Sequence, residues 1–172
     1  MHDDPRRLEE KHFIEDCSLF FEQWGLPRMA GRILGCLLIC DPPYQSPAEL
    51  AQVLQASKGS ISMMARLLIQ EGLVERVGLP GDRRDFYRLR PGAWTQLMTD
   101  RLAVIAAIHQ LAERGFALLK GHDPALSERL EEMHDLYSFI ESELPALLER
   151  WEEERRAGVR PRGLVEDRAK ST

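Results

Sequence analysis

Ser57, Lys58, Gly59, Ser60, Ser62, Met63 and Arg66, followed by Asp82, Arg83 and Arg84, are the side chains in this sequence best suited to chemistry, namely non-covalent recognition of a polyanion. Short polar groups on one face of a helix can reach base edges and phosphates, and two adjacent guanidiniums on a turn suit a phosphate backbone or a narrow minor groove. Ser57 can cap such a helix. Ile61, Ala65 and Leu68 share its inward face, which leaves Gly59, Ser62, Met63 and Arg66 pointing the other way. The helix stops at Gly72. Residues 72–77 and 86–90 then read as two short strands around a tip that holds Gly78, Pro80 and Gly81.

The preceding segments supply what must hold this helix. Phe13, Cys17, Phe20 and Trp24 recur at three- and four-residue steps and predict an amphipathic helix over about 8–24, ended by Gly25 and Pro27. A second helix over about 28–40 is apolar nearly all round and belongs in a core; Asp41-Pro42-Pro43 closes it. Ser46-Pro47-Ala48-Glu49 has the form of a capping box with proline at the first helical position, opening a short helix to about residue 54. Ala56-Ser57 is the turn into the serine-rich helix. The expected fold is mainly α with a small β-hairpin, a winged helix-turn-helix with flanking dimerisation helices.

Charge supports the same face. The chain carries a net −5, but residues 57–91 hold seven Lys or Arg against four Asp or Glu, and the flanking blocks 1–56 and 92–172 are each at −4. A basic face on an acidic body favours one docking orientation on a phosphate backbone.

Downstream, Leu97, Val104, Leu111 and Leu118 recur every seven residues, with Met98, Ile105, Ala112 and Leu119 beside them. Asp123-Pro124 is expected to cap a further helix, in which Leu126, Leu130, Met133, Tyr137, Ile140, Leu144, Leu147 and Trp151 alternate steps of four and three; Pro145 should kink it. That stripe is long for any core within one chain, so a second copy is the economical partner, with an intramolecular bundle as the other reading. The resulting division is an N-terminal dimerisation helix over 1–27, a winged DNA-binding domain over 28–91, long dimerisation helices over 92–156 and a disordered tail over 157–172.

Other chemistries are poorly served. Glu131-x-x-His134 has the spacing of a di-iron ligand pair, but it occurs once and reads as a solvated face. Cys17, Cys36 and Cys40 are odd in number and lack metal-finger spacing, which fits reduced, buried thiols. No motif places a nucleophile beside a base and there is no phosphate loop, so no enzyme activity, catalytic residue, metal or cofactor is expected. The acidic N-terminus lacks an apolar signal region and the longest apolar run, 33–40, is too short for a bilayer, so the expectation is a cytoplasmic protein with no membrane partner.

Gly59-x-Ile61-Ser62-Met63, Arg66, Leu68, Gly72-Leu73-Val74 and Gly81-Asp82-Arg83-Arg84 with Tyr87 resemble the MarR superfamily, most closely its GbsR-type branch. Gly25-x-Pro27-Arg28-x-x-Gly31-Arg32-Ile33 is similar to that branch as well, and the resemblance covers roughly residues 10–150. It implies a homodimeric transcriptional regulator on double-stranded DNA, often a repressor, modulated by a small-molecule effector. By motif position Ser62, Met63 and Arg66 would read the major groove, Arg84 would enter or flank the minor groove, and Asp82 would hold the wing by a salt bridge to an arginine. Leu67 and Ile69 depart from the branch, which tends to be polar or acidic there. Phe20, Trp24, Trp94 and Phe116 are candidates either for core or for a pocket around a cationic effector, in keeping with choline-responsive relatives of that branch. Two other readings stand beside this one: a winged-helix protein-interaction module without DNA, and a metal or redox helical protein using Glu131/His134 or Cys36/Cys40.

Overall fold

The computed structural model describes residues 4–120 and 124–159. The cap expected at Asp123 and most of the tail lie outside the described residues. Contacts divide the chain into two units, Met1–Leu97 and Met98–Thr172.

The first unit is built on α1 (Pro5–Gln23), α2 (Arg28–Ile39), α3 (Pro47–Val53), α4 (Lys58–Gln70) and an antiparallel hairpin of β1 (Val74–Gly78) and β2 (Asp85–Leu89). Each boundary has a local cause. Asp4 caps α1 by accepting from the Arg6 amide at 3.2 Å. At the other end Gly25 takes φ +87° and the Leu26 amide returns to the Phe21 carbonyl at 3.0 Å, a glycine-based stop. The capping box at Ser46 and Glu49 forms in both directions, 3.3 Å and 2.7 Å. The same stop closes α4, where Gly72 adopts φ +71° and the Leu73 amide reaches the Leu68 carbonyl at 3.0 Å.

Ile33, Leu34, Leu50, Leu54, Ile61, Leu68 and Val74 are fully buried and form the centre of the first unit. Helix α2 supplies much of it, although Leu38 and Ile39 at its C-terminus are exposed. Helix α1 lies close on α2 because of two glycines: a Cβ on Gly31 would stand 2.8 Å from the Ser18 Cα, and one on Gly35 would stand 3.0 Å from the Ile14 Cα. The fully buried Ser18 hydroxyl donates to the Arg28 carbonyl at 3.2 Å. This contact corrects the expected inward face of α1. Ile14, Ser18 and Phe21 are the buried row, while Phe13, Phe20 and Trp24 are exposed, since the groove left by glycines takes the row that carries the small Ser18.

In the second unit, α5 (Ala93–Leu119, entering from the first unit) is followed by a 3-10 turn at Pro124–Leu126 and by α6 (Glu128–Arg156). Leu126 therefore belongs to the turn, and the apolar stripe of α6 starts at Leu130. The helix runs through Pro145 as one element. Among the described residues of this unit only Ala112 is buried. By length and composition α5 is also apolar enough to cross a membrane. Its apolar residues are interrupted by Asp100, Arg101, Glu113 and Arg114.

Candidate nucleic-acid interface

Helix α4 is fixed from behind and open in front. Ile61, Ala65 and Leu68 are fully buried, and Leu67 packs partly against the same core. Lys58, Gly59, Met63 and Arg66 are exposed, Met63 to 56%, and Ser60 and Ser62 are half-buried. Ser57 caps the helix by accepting from the Ser60 amide at 3.1 Å. A Cβ on Gly59 would meet nothing nearer than the Ser57 hydroxyl at 3.9 Å, so the chain's own packing does not require glycine there. The first turn of α4 is open on the Gly59 side. The Arg66 Nε donates to the Ser62 carbonyl at 3.2 Å, which lays the guanidinium along the helix surface.

The hairpin pairs Val74 with Leu89, Arg76 with Tyr87 and Gly78 with Asp85. Phe86 and Tyr87 are adjacent yet both buried, which a two-stranded ribbon alone would not allow. Gln45 explains it: its amide donates to the Tyr87 carbonyl at 2.9 Å and its carbonyl accepts from the Tyr87 amide at 2.8 Å, so the segment before α3 serves as a third, one-residue strand. On the other side Phe86 is covered edge-on by Tyr44, with centroids 5.3 Å apart, and by the Arg84 guanidinium 5.0 Å above its ring.

At the tip Asp82 accepts from the Arg84 amide at 2.9 Å and from its guanidinium at 2.6 Å and 2.9 Å. The Asp82 salt bridge to an arginine thus exists, and its partner is Arg84, the side chain assigned by motif to the minor groove. Glu49 stands 3.9 Å from the same guanidinium. Hydrogen bonds from Arg84 hold the Asp82 carboxyl below its ordinary value, and the cap bond from the Ser46 amide does the same for Glu49. Along the strands Arg76 pairs with Asp85 at 3.3 Å and Arg88 with Glu75 at 2.6 Å. Lys58, Arg66, Arg83 and Arg90 have no acidic partner among the described residues.

The structure therefore brings Ser57, Lys58, Gly59, Ser60, Ser62, Met63 and Arg66 together on α4, and Asp82, Arg83 and Arg84 together on the tip. It also adds Tyr44, Gln45 and Glu49 as supports of the wing. Glu49 was visible in the sequence only as half of a capping box; Gln45 acts through its backbone, which no side-chain motif can signal.

The other candidates separate. Phe20, Phe21 and Trp24 form a contiguous cluster, and Trp94 stacks on Phe21 at 6.1 Å. Phe20, Trp24 and Trp94 are exposed by 42% or more, so they are not core of this unit. Phe116 instead meets His134 at 5.6 Å. Burial pushes the Cys36 thiol up to about 11 and raises Cys17 and Cys40 as well. All three cysteines are free, with Cys36 buried and the other two half-buried.

Known proteins share this arrangement. Residues 24–85 match the model of the MarR family, and residues 92–154 match that of the MmpR5-like MarR family transcriptional regulators. The chain is 44% identical over 139 residues to the HTH-type transcriptional regulator MmpR5 of Mycobacterium tuberculosis (strain ATCC 25618 / H37Rv), covering 81% of this chain and 84% of that one. It is 31% identical over 78 residues to the HTH-type transcriptional repressor OpcR of Bacillus subtilis (strain 168), covering 45% of this chain and 42% of that one. A crystal structure of a transcriptional regulator aligns with a TM-score of 0.65 at 42% identity, over 84% of this chain and 99% of the other.

Proposed function

The chain belongs to the MarR family of transcriptional regulators, and from that premise we propose that it is a cytoplasmic, homodimeric repressor that binds a specific double-stranded operator and is modulated by a small-molecule effector. Regulators of this family bind DNA, and the protein is a regulator and not an enzyme. The observation that carries the operator reading is the outward face of α4. Its inward side chains are locked at zero exposure while Lys58, Met63 and Arg66 point away from the core. In this reading Ser57, Lys58, Gly59 and Ser60 meet phosphates at the helix N-terminus; Ser62, Met63 and Arg66 meet base edges; Arg83 and Arg84 meet the backbone or minor groove; and Asp82 keeps the tip in shape.

Dimerisation through 92–156 is supported by the second unit, whose long helices bury almost nothing within one chain, and through 1–27 by the exposed Phe13, Phe20 and Trp24, with 28–91 as the DNA-binding part. Repression is supported by the name of the relative OpcR, and placement near the GbsR-type branch by the motifs around Gly25 and Gly59. The exposed Phe20, Trp24 and Trp94 are among the aromatics available for an effector. Selection of bound sequences from a random duplex pool tests the proposal. The expected result is an enriched, two-fold-related motif whose half-sites lie about one helical turn apart. No enrichment, together with no salt-dependent binding to any duplex, would move the protein-interaction reading ahead.

A further inference from the structure

We propose that the second unit carries a binding site for a divalent transition metal ion of the zinc class, formed by His109 and Glu113 of α5 and His134 of α6. One donor atom from each lies within 4.8 Å of the others. His109 and Glu113 are one helical turn apart on one face of α5, the spacing at which two side chains converge on a common point. His134 reaches the same point from α6, its ring 4.8 Å from that of His109. Tetrahedral zinc at about 2.0–2.1 Å from nitrogen or oxygen needs ligand atoms somewhat closer together than this, and the exposed Glu113 side chain has the freedom to close on the ion.

The surroundings of the two imidazoles point to a ligand independently of their proximity. His109 Nδ1 lies 2.7 Å from a Glu141 carboxylate oxygen, and His134 Nδ1 lies 3.0 Å from one of Asp135. With Nδ1–H donated to a carboxylate, Nε2 of each ring is left as the lone-pair atom able to ligate, the usual arrangement of metal-ligating histidines. His109 Nε2 is buried and has no hydrogen-bond partner. A buried acceptor without a partner is uncommon, and a metal ion would satisfy it. Phe116 stands edge-on to His134 with rings 5.6 Å apart, and three protein ligands would leave the fourth tetrahedral position to water. Two imidazoles and one carboxylate form a borderline donor set that suits zinc among the common divalent ions.

The sequence pairing of His134 with Glu131 is replaced, because Glu131 instead accepts from the Ser127 hydroxyl at 2.9 Å. An ion held in this way would link α5 to α6, so the stability of the second unit would follow metal occupancy.

The test uses untagged full-length protein, stripped with a chelator and titrated with Zn²⁺ alone against a chromophoric competitor, with thermal melting in parallel. The expected result is one ion per chain at micromolar affinity or tighter and a higher Tm with zinc. Glu113→Gln and His134→Ala should each weaken binding at least tenfold, and Glu141→Gln by about 10- to 100-fold, the usual cost of losing an outer carboxylate. Glu131→Gln and His12→Ala should leave it unchanged. Because Glu113 is exposed, its isosteric variant keeps the test sound if His134→Ala fails to fold. Absence of saturable binding, or equal affinity in wild type and Glu113→Gln, would overturn the site, and neither result bears on DNA binding.

Discussion

Arg83 and Arg84 are neighbours in sequence but not equivalent in charge. Arg84 spends three hydrogen bonds of its guanidinium on Asp82 and lies over Phe86, whereas Arg83 is exposed with no acidic partner among the described residues. Replacing Arg83 by Ala is therefore expected to lower the salt slope of binding by about 0.9 on operator and scrambled duplex alike, the value of one phosphate contact. Arg84→Ala should weaken both duplexes more, because it also strands the Asp82 carboxylate beside the phosphates. Arg83→Ala with unchanged slope and affinity would mean that the tip does not touch DNA. The Arg84 bonds hold the Asp82 carboxyl below its ordinary value, so what this pair contributes to the tip is present at neutral pH and is lost only as pH falls through that lowered value. On α4 the defect should differ in kind: Met63→Ala or Arg66→Ala should cost on the order of 1–3 kcal/mol at particular base pairs and relax the choice there, read by competition among single-base operator variants. The thiols should be poor sensors. Cys36, with its thiol at about 11, has little thiolate at neutral pH, so alkylation of folded protein at pH 7.5 should be slow at this residue by mass spectrometry. The same shift runs the other way in stability: burial of the neutral thiol helps fully below its ordinary range and is lost as pH rises toward about 11.

At the scale of elements, the close approach of α1 to α2 rests on Gly31, where an added methyl would sit 2.8 Å from backbone that cannot move aside cheaply. Gly31→Ala should destabilise the protein by about 1–3 kcal/mol in urea unfolding, the usual cost of overpacking a well-filled contact. Gly25→Ala offers the contrast, since its cost is the strain of φ +87° in open space with no clash at all. An unchanged unfolding midpoint for Gly31→Ala would show that the helices can separate freely. Where sequence signals are local, the elements were readable from them: the capping box at Ser46, the stop at Gly72 and the inward row Ile61, Ala65 and Leu68 all formed. Where the cause is tertiary, they were not. The apolar row Phe13, Phe20, Trp24 marks a real face of α1, but glycines on another helix choose which face is buried. The turn before α4 includes Gln55 at φ +50°, a conformation usually signalled by glycine or asparagine, so composition placed that turn a residue late. The pairing of buried Tyr87 depends on Gln45 through backbone bonds alone, and Phe86 is covered by Tyr44 and Arg84.

For the whole molecule, the imbalance between the two units is the main physical fact. Residues 4–97 enclose a continuous core, while α6 buries no residue and leaves Leu136, Phe139 and Leu147 at least half exposed in the single chain. Apolar surface of that extent calls for cover, and under the proposed pairing a second copy is the economical source. A symmetric pair would also supply two α4 helices for two half-sites. The expected solution species at micromolar concentration has twice the 19.7 kDa chain mass by light scattering. Phe139→Glu is the informative variant. At 64% exposure its ring contributes little to the fold of one chain, yet it borders a surface groove with Ile140, Leu144 and Leu147. The charge should shift the population toward monomer while far-ultraviolet dichroism stays close to wild type, and operator affinity should fall to that of the scrambled duplex because one recognition helix cannot span two half-sites. A wild-type chain that scatters as a monomer and still binds its operator tightly would refute the pairing and require α5 and α6 to be covered by something other than a second copy.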